Sequence, residues 1–313
     1  MNPTSAKRLR ANGLLLLASA IWGFAFVAQR VGAESIDAFT FNAVRFAMGA
    51  AALVPVVWWL DRRRRVPKPI RVQTTRAVIV PGLLTGTLLA VAVGMQQIAM
   101  SHTTAGNAAF ITGLYMVFVP IVAAFRGHRS SWTTVAGIGL ALVGLYFLAI
   151  GDDFAVSFGD AIVLASTFIW TAQILLIEHY SKQLSALRFS ISQFAWCAAI
   201  SAVAALVFDA HPFAGLGEGL IPLLYGGLMS VGIAYTLQVV AQRDALASHA
   251  ALIMSAESVF GAIGGALLLG ENMGARGYFG AALMAAGIAL TQWRVESVRP
   301  PPVAEQETLR SLT

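Results

Sequence analysis

The chain has 313 residues, 58% apolar and only 12% charged, with a formal charge of +6. Soluble domains run near half apolar and a quarter charged, so this sequence lacks the material for a water-facing surface and is read as a membrane protein. Its single cysteine, Cys197, excludes an internal disulfide.

Breaks at charges, prolines and polar clusters divide the chain into ten apolar segments, about 12–31, 38–60, 77–99, 104–125, 131–150, 159–178, 187–208, 219–241, 247–270 and 275–293. Each is near the roughly 20 residues that cross a bilayer. The first follows MNPTSAKRLR and contains Ala18-Ser19-Ala20, which imitates a signal peptide with its cleavage site. The apolar run continues through Ile21–Ala28, long enough to span, so it is read as a retained first helix; cleavage stays the alternative. Connections are short except 61–76, which carries Arg62–Arg65, and the polar, proline-rich tail 294–313, expected to be disordered. Asp152 and Asp153 read as a solvated outer turn.

Basic residues orient the segments. With both termini in the cytoplasm, 18 of 21 Lys and Arg fall on cytoplasmic stretches, Arg30 and Arg276 fall outside, and Arg45 lies within a span. This follows the positive-inside rule. It makes the Arg62–Arg65 run an orientation signal against anionic headgroups rather than a nucleic-acid patch. The expected location is a bacterial inner membrane.

The chain also repeats itself. LASAIWGFAF at position 17 is echoed by LASTFIWTAQ at 164, and an offset of 148 places Trp22 on Trp170 and FNAVRF (41–46) on FSISQF (189–194). Further along, MQQIA (95–99) meets LQVVA (237–241) and NAAFI (107–111) meets HAALI (249–253) at 142, then GIGLALVG (137–144) meets GAALMAAG (280–287) at 143. Five spans per half is an odd number, so the second half enters from the opposite side. The expected fold is an all-α polytopic membrane protein of ten helices in two inverted five-helix repeats, 12–150 and 159–293, after a cytoplasmic stretch 1–11. That architecture belongs to secondary carriers, because two near-equivalent halves have two packings that expose one central site to either face.

Ten spans in five plus five, a tryptophan in the first span of each half, and ALASHAALIMSAESVFGAIGGALLLGE at 245–271 resemble the drug/metabolite transporter superfamily, in its branch built from two EamA-type domains. The resemblance covers about 12–293, and its most specific part is Leu269-Gly270-Glu271. Two departures stand out. Ser258-Val259 follows Glu257 where the family often has proline, and the first half ends its fourth span in Arg126-Gly127-His128 rather than Leu-Gly-Glu. The aromatic-rich character is most similar to the YddG-type exporters of aromatic and other amino acids, which implies that class of substrate.

Polar groups within spans are costly and usually face a bundle interior or wet cavity. Glu257, mid-span in the ninth segment, is expected to line the cavity, hold a substrate ammonium or exchange a proton; a structural role or a pairing with Arg45 is the alternative. Gln96 and Gln238 are repeat equivalents whose amides supply donors and acceptors for a zwitterion, or else bond neighbouring helices. Asn107 and His249, also equivalent, stand near the starts of spans four and nine, where free backbone N–H groups favour a carboxylate; plain capping competes with that. Tyr115 is equivalent to Glu257. Trp22 and Trp170, with Gln173 nearby, are expected at the cavity rather than in an interfacial aromatic belt.

Enzyme chemistry finds no footing: the sequence has no G-x-S-x-G, H-E-x-x-H or P-loop pattern and no clustered metal ligands, so no catalytic residue, metal or cofactor is expected. The reading is an exporter of amino acids across the inner membrane by alternating access, with the substrate and the lipid bilayer as partners and either the substrate gradient alone or an exchanged proton as the energy source. A carrier of the same fold for a nucleotide sugar or cationic drug stays open, and, further off, a membrane-embedded enzyme or signalling protein.

Overall fold

The structure, a computed structural model, describes residues 3–65, 67–125, 131–149, 157–271 and 274–293, and every regular element among them is helical. In chain order these are α1 (Pro3–Gly32), α2 (Ala38–Arg63), α3 (Lys68–Ala77), α4 (Ile79–Ala99), α5 (Ala105–Gly113), α6 (Tyr115–Phe125), α7 (Trp132–Ala149), α8 (Phe158–Ser181), α9 (Ala186–Phe208), α10 (Leu220–Leu224), a π-helical segment (Tyr225–Tyr235), α11 (Thr236–Ala241), α12 (Ala247–Met254), α13 (Glu257–Leu269) and α14 (Gly274–Trp293). Eight stretches of the described chain are long and apolar enough to cross a membrane. The expected spans at 131–150 and 275–293 are not among them: the first is a shorter apolar helix over Trp132–Phe147, the second is the 20-residue α14. The tail, Asp152-Asp153 and Arg126-Gly127-His128 lie outside the described residues.

One connection differs from the sequence reading. The stretch 61–76, expected as a loop, contains α3. Pro67 caps it and Pro69 sits in its first turn, where the fixed φ of proline favours a helical start and its missing N–H costs nothing. Gln73, Thr75 and Arg76 give it an exposed polar face.

Two spans are broken at matching points. Between α5 and α6, Leu114 N–H donates to Ile111 O (3.1 Å) and Val117 N–H to Leu114 O (2.9 Å). Between α12 and α13, 142 residues on, Ala256 N–H donates to Ile253 O (3.2 Å) and Val259 N–H to Ala256 O (3.0 Å). Each break is one turn of tighter i→i+3 bonding, a form that within a longer helix often marks a functional hinge. The first residues beyond the two breaks are Tyr115 and Glu257.

Helix packing follows the same correspondence. α1 packs on α13 and α8 on α5 and α6; α2 packs on the π-helical segment and α9 on α4; α2 also crosses α9, and α7 pairs with α14. Small residues permit these approaches, as expected where no hydrophobic drive separates helix from lipid. A Cβ at Gly144 would stand 2.5 Å from Gly280 O, and one at Gly287 would stand 2.6 Å from Gly137 O. These are the same contact made from opposite sides of the α7–α14 seam.

Carboxylates fasten the helix ends. Asp209, just beyond α9, accepts from Thr40 N–H (2.7 Å), Thr40 Oγ1 (2.7 Å) and Phe39 N–H (3.3 Å) at the start of α2. Asp61, 148 residues earlier and near the end of α2, accepts from Arg188 at 2.6 Å at the start of α9. Gly270, at φ +68°, reverses the chain after α13 so that Glu271 N–H reaches Gly265 O at 3.0 Å. Glu271 then accepts from Ala105 N–H (3.2 Å) and Gly106 N–H (3.3 Å) at the start of α5. The Leu-Gly-Glu ending thus ties the last turn of α13 to a helix of the other half.

Candidate functional site

A cavity lies where α1, α2, α4, the α5–α6 and α12–α13 breaks, α8 and the π-helical segment converge. The space not filled by atoms is about 440 Å³, including the part that opens outward.

Its aromatic wall comes from three elements. Tyr235, the last residue of the π-helical segment, lies between the two repeat-related tryptophans, with ring centroids 4.7 Å from Trp22 and 6.1 Å from Trp170. Phe46 and Phe194 back Tyr235 at 5.9 and 6.0 Å. A π-helical stretch widens the backbone ladder and recurs at functional sites; here it delivers Ser230 and Tyr235 to the cavity.

The polar wall is asymmetric. Trp170 Nε1–H donates to Gln96 Oε1 (3.3 Å), Gln96 Nε2 donates to Gln29 Oε1 (3.0 Å), and Gln29 Nε2 donates to Ala25 O (3.3 Å). One tryptophan–glutamine pair is therefore closed within the protein. At the other, the Trp22 indole N–H and Gln238 Oε1 have no hydrogen-bond partner among the described residues. The cause is legible in sequence: the residue 148 positions after Gln29 is Ile177, which cannot extend the chain of amides.

Two ionisable groups share this cavity. Glu257 is 4% exposed and its Oε1 has no partner among the described residues; Tyr115 lies beside it with no hydrogen bond of regular geometry between them. Arg45 is 1% exposed. Its Nε donates to Asn42 Oδ1 (2.9 Å), and Asn42 Nδ2 donates to Val93 O (3.0 Å). The guanidinium stands 5.4 and 5.1 Å from the ring centres of Phe41 and Phe46, and its Nη2 has no partner among the described residues. The ion pairs among the described residues join Lys182 to Glu178 and Asp61 to Arg188, so Arg45 and Glu257 are not paired with each other. Each charge at membrane depth costs several kcal/mol, roughly 2.5–3.5 on insertion scales.

Of the nine residues singled out in the sequence, Trp22, Gln96, Tyr115, Trp170, Gln238 and Glu257 line the cavity. Asn107 and His249 do not; they stand near helix starts at opposite ends of the bundle. The Asn107 N–H is taken by Thr104 Oγ1 at 3.0 Å, an ordinary cap. Gln173 is fully buried on α8, away from the lining. The lining adds Arg45, Gln29, Thr112 and Ser230, together with Phe26, Ile174 and Met254. Arg45 and Gln29 carried the signal that marked Glu257, a costly polar group inside an apolar run.

The sequence pattern of the EamA-like transporter family matches residues 9–150 and again 157–293. An uncharacterized transporter of Archaeoglobus fulgidus is 28% identical over 92% of this chain and 88% of its own length. The uncharacterized transporter YoaV of Bacillus subtilis is 22% identical over 86% of this chain and 91% of its own. A solved crystal structure covers 91% of this chain and 97% of its own with a TM-score of 0.71; at 17% identity that likeness speaks to the fold alone.

Proposed function

The chain belongs to the EamA-like transporter family, and from that premise we propose that it is a ten-span secondary carrier that exports amino acids, aromatic and other neutral ones, across the bacterial inner membrane. Membership makes it a membrane transporter of small solutes; the finer reading rests on the cavity. The observation that carries it is the buried Glu257 carboxylate, with Oε1 unpartnered among the described residues, at a helix break and beside an aromatic wall. A carboxylate in that setting suits an ammonium, and the wall suits an apolar side chain.

The halves 12–150 and 159–293 act as inverted repeats. Support comes from the two breaks 142 residues apart, the matched glycine contacts of α7 and α14, and the paired carboxylates Asp61 and Asp209. Access alternates as the halves rock about the cavity, with both termini in the cytoplasm. Energy comes from the substrate gradient or an exchanged proton.

Counterflow in proteoliposomes over a panel of amino acids, with and without a pH gradient, tests this. Saturable exchange of neutral and aromatic amino acids is expected, and Glu257→Gln is expected to reduce it at least tenfold. A correctly inserted sample that exchanges no amino acid would refute the substrate class.

A further inference from the structure

We propose that Arg45 reads the carboxylate of the solute, so that the cavity selects molecules carrying both charges. This rests on the amino-acid reading above and names the residue that sets its specificity. Arg45 is buried at the cavity wall with no carboxylate in salt-bridge range among the described residues. A guanidinium confined to membrane depth needs a counter-charge. The protein has one available, Glu257, in the same cavity, and leaves the two apart.

The side chain is also held in place. Asn42 fixes Nε from one side and is itself anchored to the Val93 carbonyl, while Phe41 and Phe46 flank the guanidinium. That leaves Nη2 as a preset donor with no partner among the described residues. Arginine's planar fork suits a carboxylate better than lysine's point charge. An α-amino acid answers both needs at once: its carboxylate meets Arg45 and its ammonium meets Glu257. A cationic drug would leave Arg45 uncompensated, and a nucleotide sugar would bring phosphates toward Glu257. The arrangement thus selects among the solutes that the sequence leaves open.

The test uses the wild-type protein first. Counterflow of a labelled neutral amino acid is competed with the unlabelled acid, its carboxamide and its decarboxylated amine. The carboxamide and the amine are expected to compete about ten- to a hundredfold more weakly, the range of a lost charge-assisted hydrogen bond. Arg45→Gln is then expected to lose most of the flux of the acid while narrowing its advantage over the carboxamide to less than threefold. Arg45→Lys is expected to keep a preference for the acid at reduced rate. Equal competition by acid and carboxamide on the wild type overturns the proposal and leaves the amino-acid reading standing. Counterflow of no amino acid at all overturns both. The wild-type arm can overturn the proposal even if Arg45→Gln fails to insert, and Arg45→Lys then carries the assignment to Arg45: an unchanged rate and preference in that variant overturns it.

Discussion

Asp209→Ala offers a measurable test of the reasoning about helix ends. The first turn of α2 has no side-chain cap of its own. Asp37 stands at the N-cap position without bonding there, and its carboxylate instead accepts from His211 N–H at 2.8 Å. The orphan amides of α2 therefore depend on Asp209, which reaches them from the end of α9 with one bond at 2.7 Å and one at 3.3 Å, and also takes the Thr40 hydroxyl. Losing a cap costs about 1 kcal/mol, and an unpaired hydroxyl costs about 1 kcal/mol more. The carboxylate is half-buried, which keeps the sum near ~2 kcal/mol. At ~2.1 cal/mol/K of unfolding entropy per residue over 313 residues, Tm falls by about 3 °C. Asparagine keeps one oxygen for the Thr40 N–H and hydroxyl but sets its NH2 against the Phe39 N–H, so Asp209→Asn should fall by about 1 °C, well short of alanine. Thermal unfolding of detergent-solubilised protein, followed by fluorescence-detected size exclusion, reads both. An unshifted alanine variant would remove the cap from the argument. An asparagine variant that falls as far as alanine would mean that charge, not capping, holds the joint.

The opposite joint should behave differently. A double-mutant cycle on Asp61→Asn and Arg188→Gln is expected to show coupling of about 1 kcal/mol that shrinks in molar salt, since this contact is an ion pair; coupling indifferent to salt would contradict it. Gly23→Leu should cost more than 3 kcal/mol or abolish insertion, because a Cβ there runs into Phe260 and the Gly261 backbone; Gly13→Ala, with open space around it, should be neutral. A Gly23 variant with parental stability and flux would mean that α1 and α13 separate freely. Gln96→Leu strands both the Trp170 indole and the Gln29 carbonyl oxygen, for about 2 kcal/mol and a changed near-ultraviolet circular dichroism of Trp170; an unchanged spectrum would argue against the amide chain.

Much of this was legible in the residues because the repeat wrote it twice. Trp22 with Trp170, Gln96 with Gln238, and Tyr115 with Glu257 each form a pair, and the pairs converge on one cavity. Asn107 and His249 also form a pair, yet equivalence fixes only a shared depth along matched helices, and theirs is near the helix ends. Arg45 and Gln29 were visible as polar interruptions, but their repeat counterparts are Gln193 and Ile177, so a search for pairs passes over them. The π-helical segment left no trace in the apolar pattern, because a shift of backbone bonding by one residue changes no residue's polarity. The i→i+3 turns at the two breaks were fainter: Gly113 hints at one, while Ser255 and Ala256 are unremarkable within a helix.

The carboxylate joints bear on how the molecule is made. Synthesis runs from the amino end, and the first half leaves the ribosome before its partners exist. Asp61 waits for Arg188, Thr40 for Asp209, and the amides of Ala105 and Gly106 for Glu271. Trp132–Ala149 likewise waits for the last helix, on which it packs. The early helices thus reside in the bilayer with open ends and grooved faces until translation is nearly complete. A chain truncated after the first repeat would present these surfaces to the quality-control proteases of the membrane, whereas two halves produced together as separate polypeptides hold every complementary end needed to find one another.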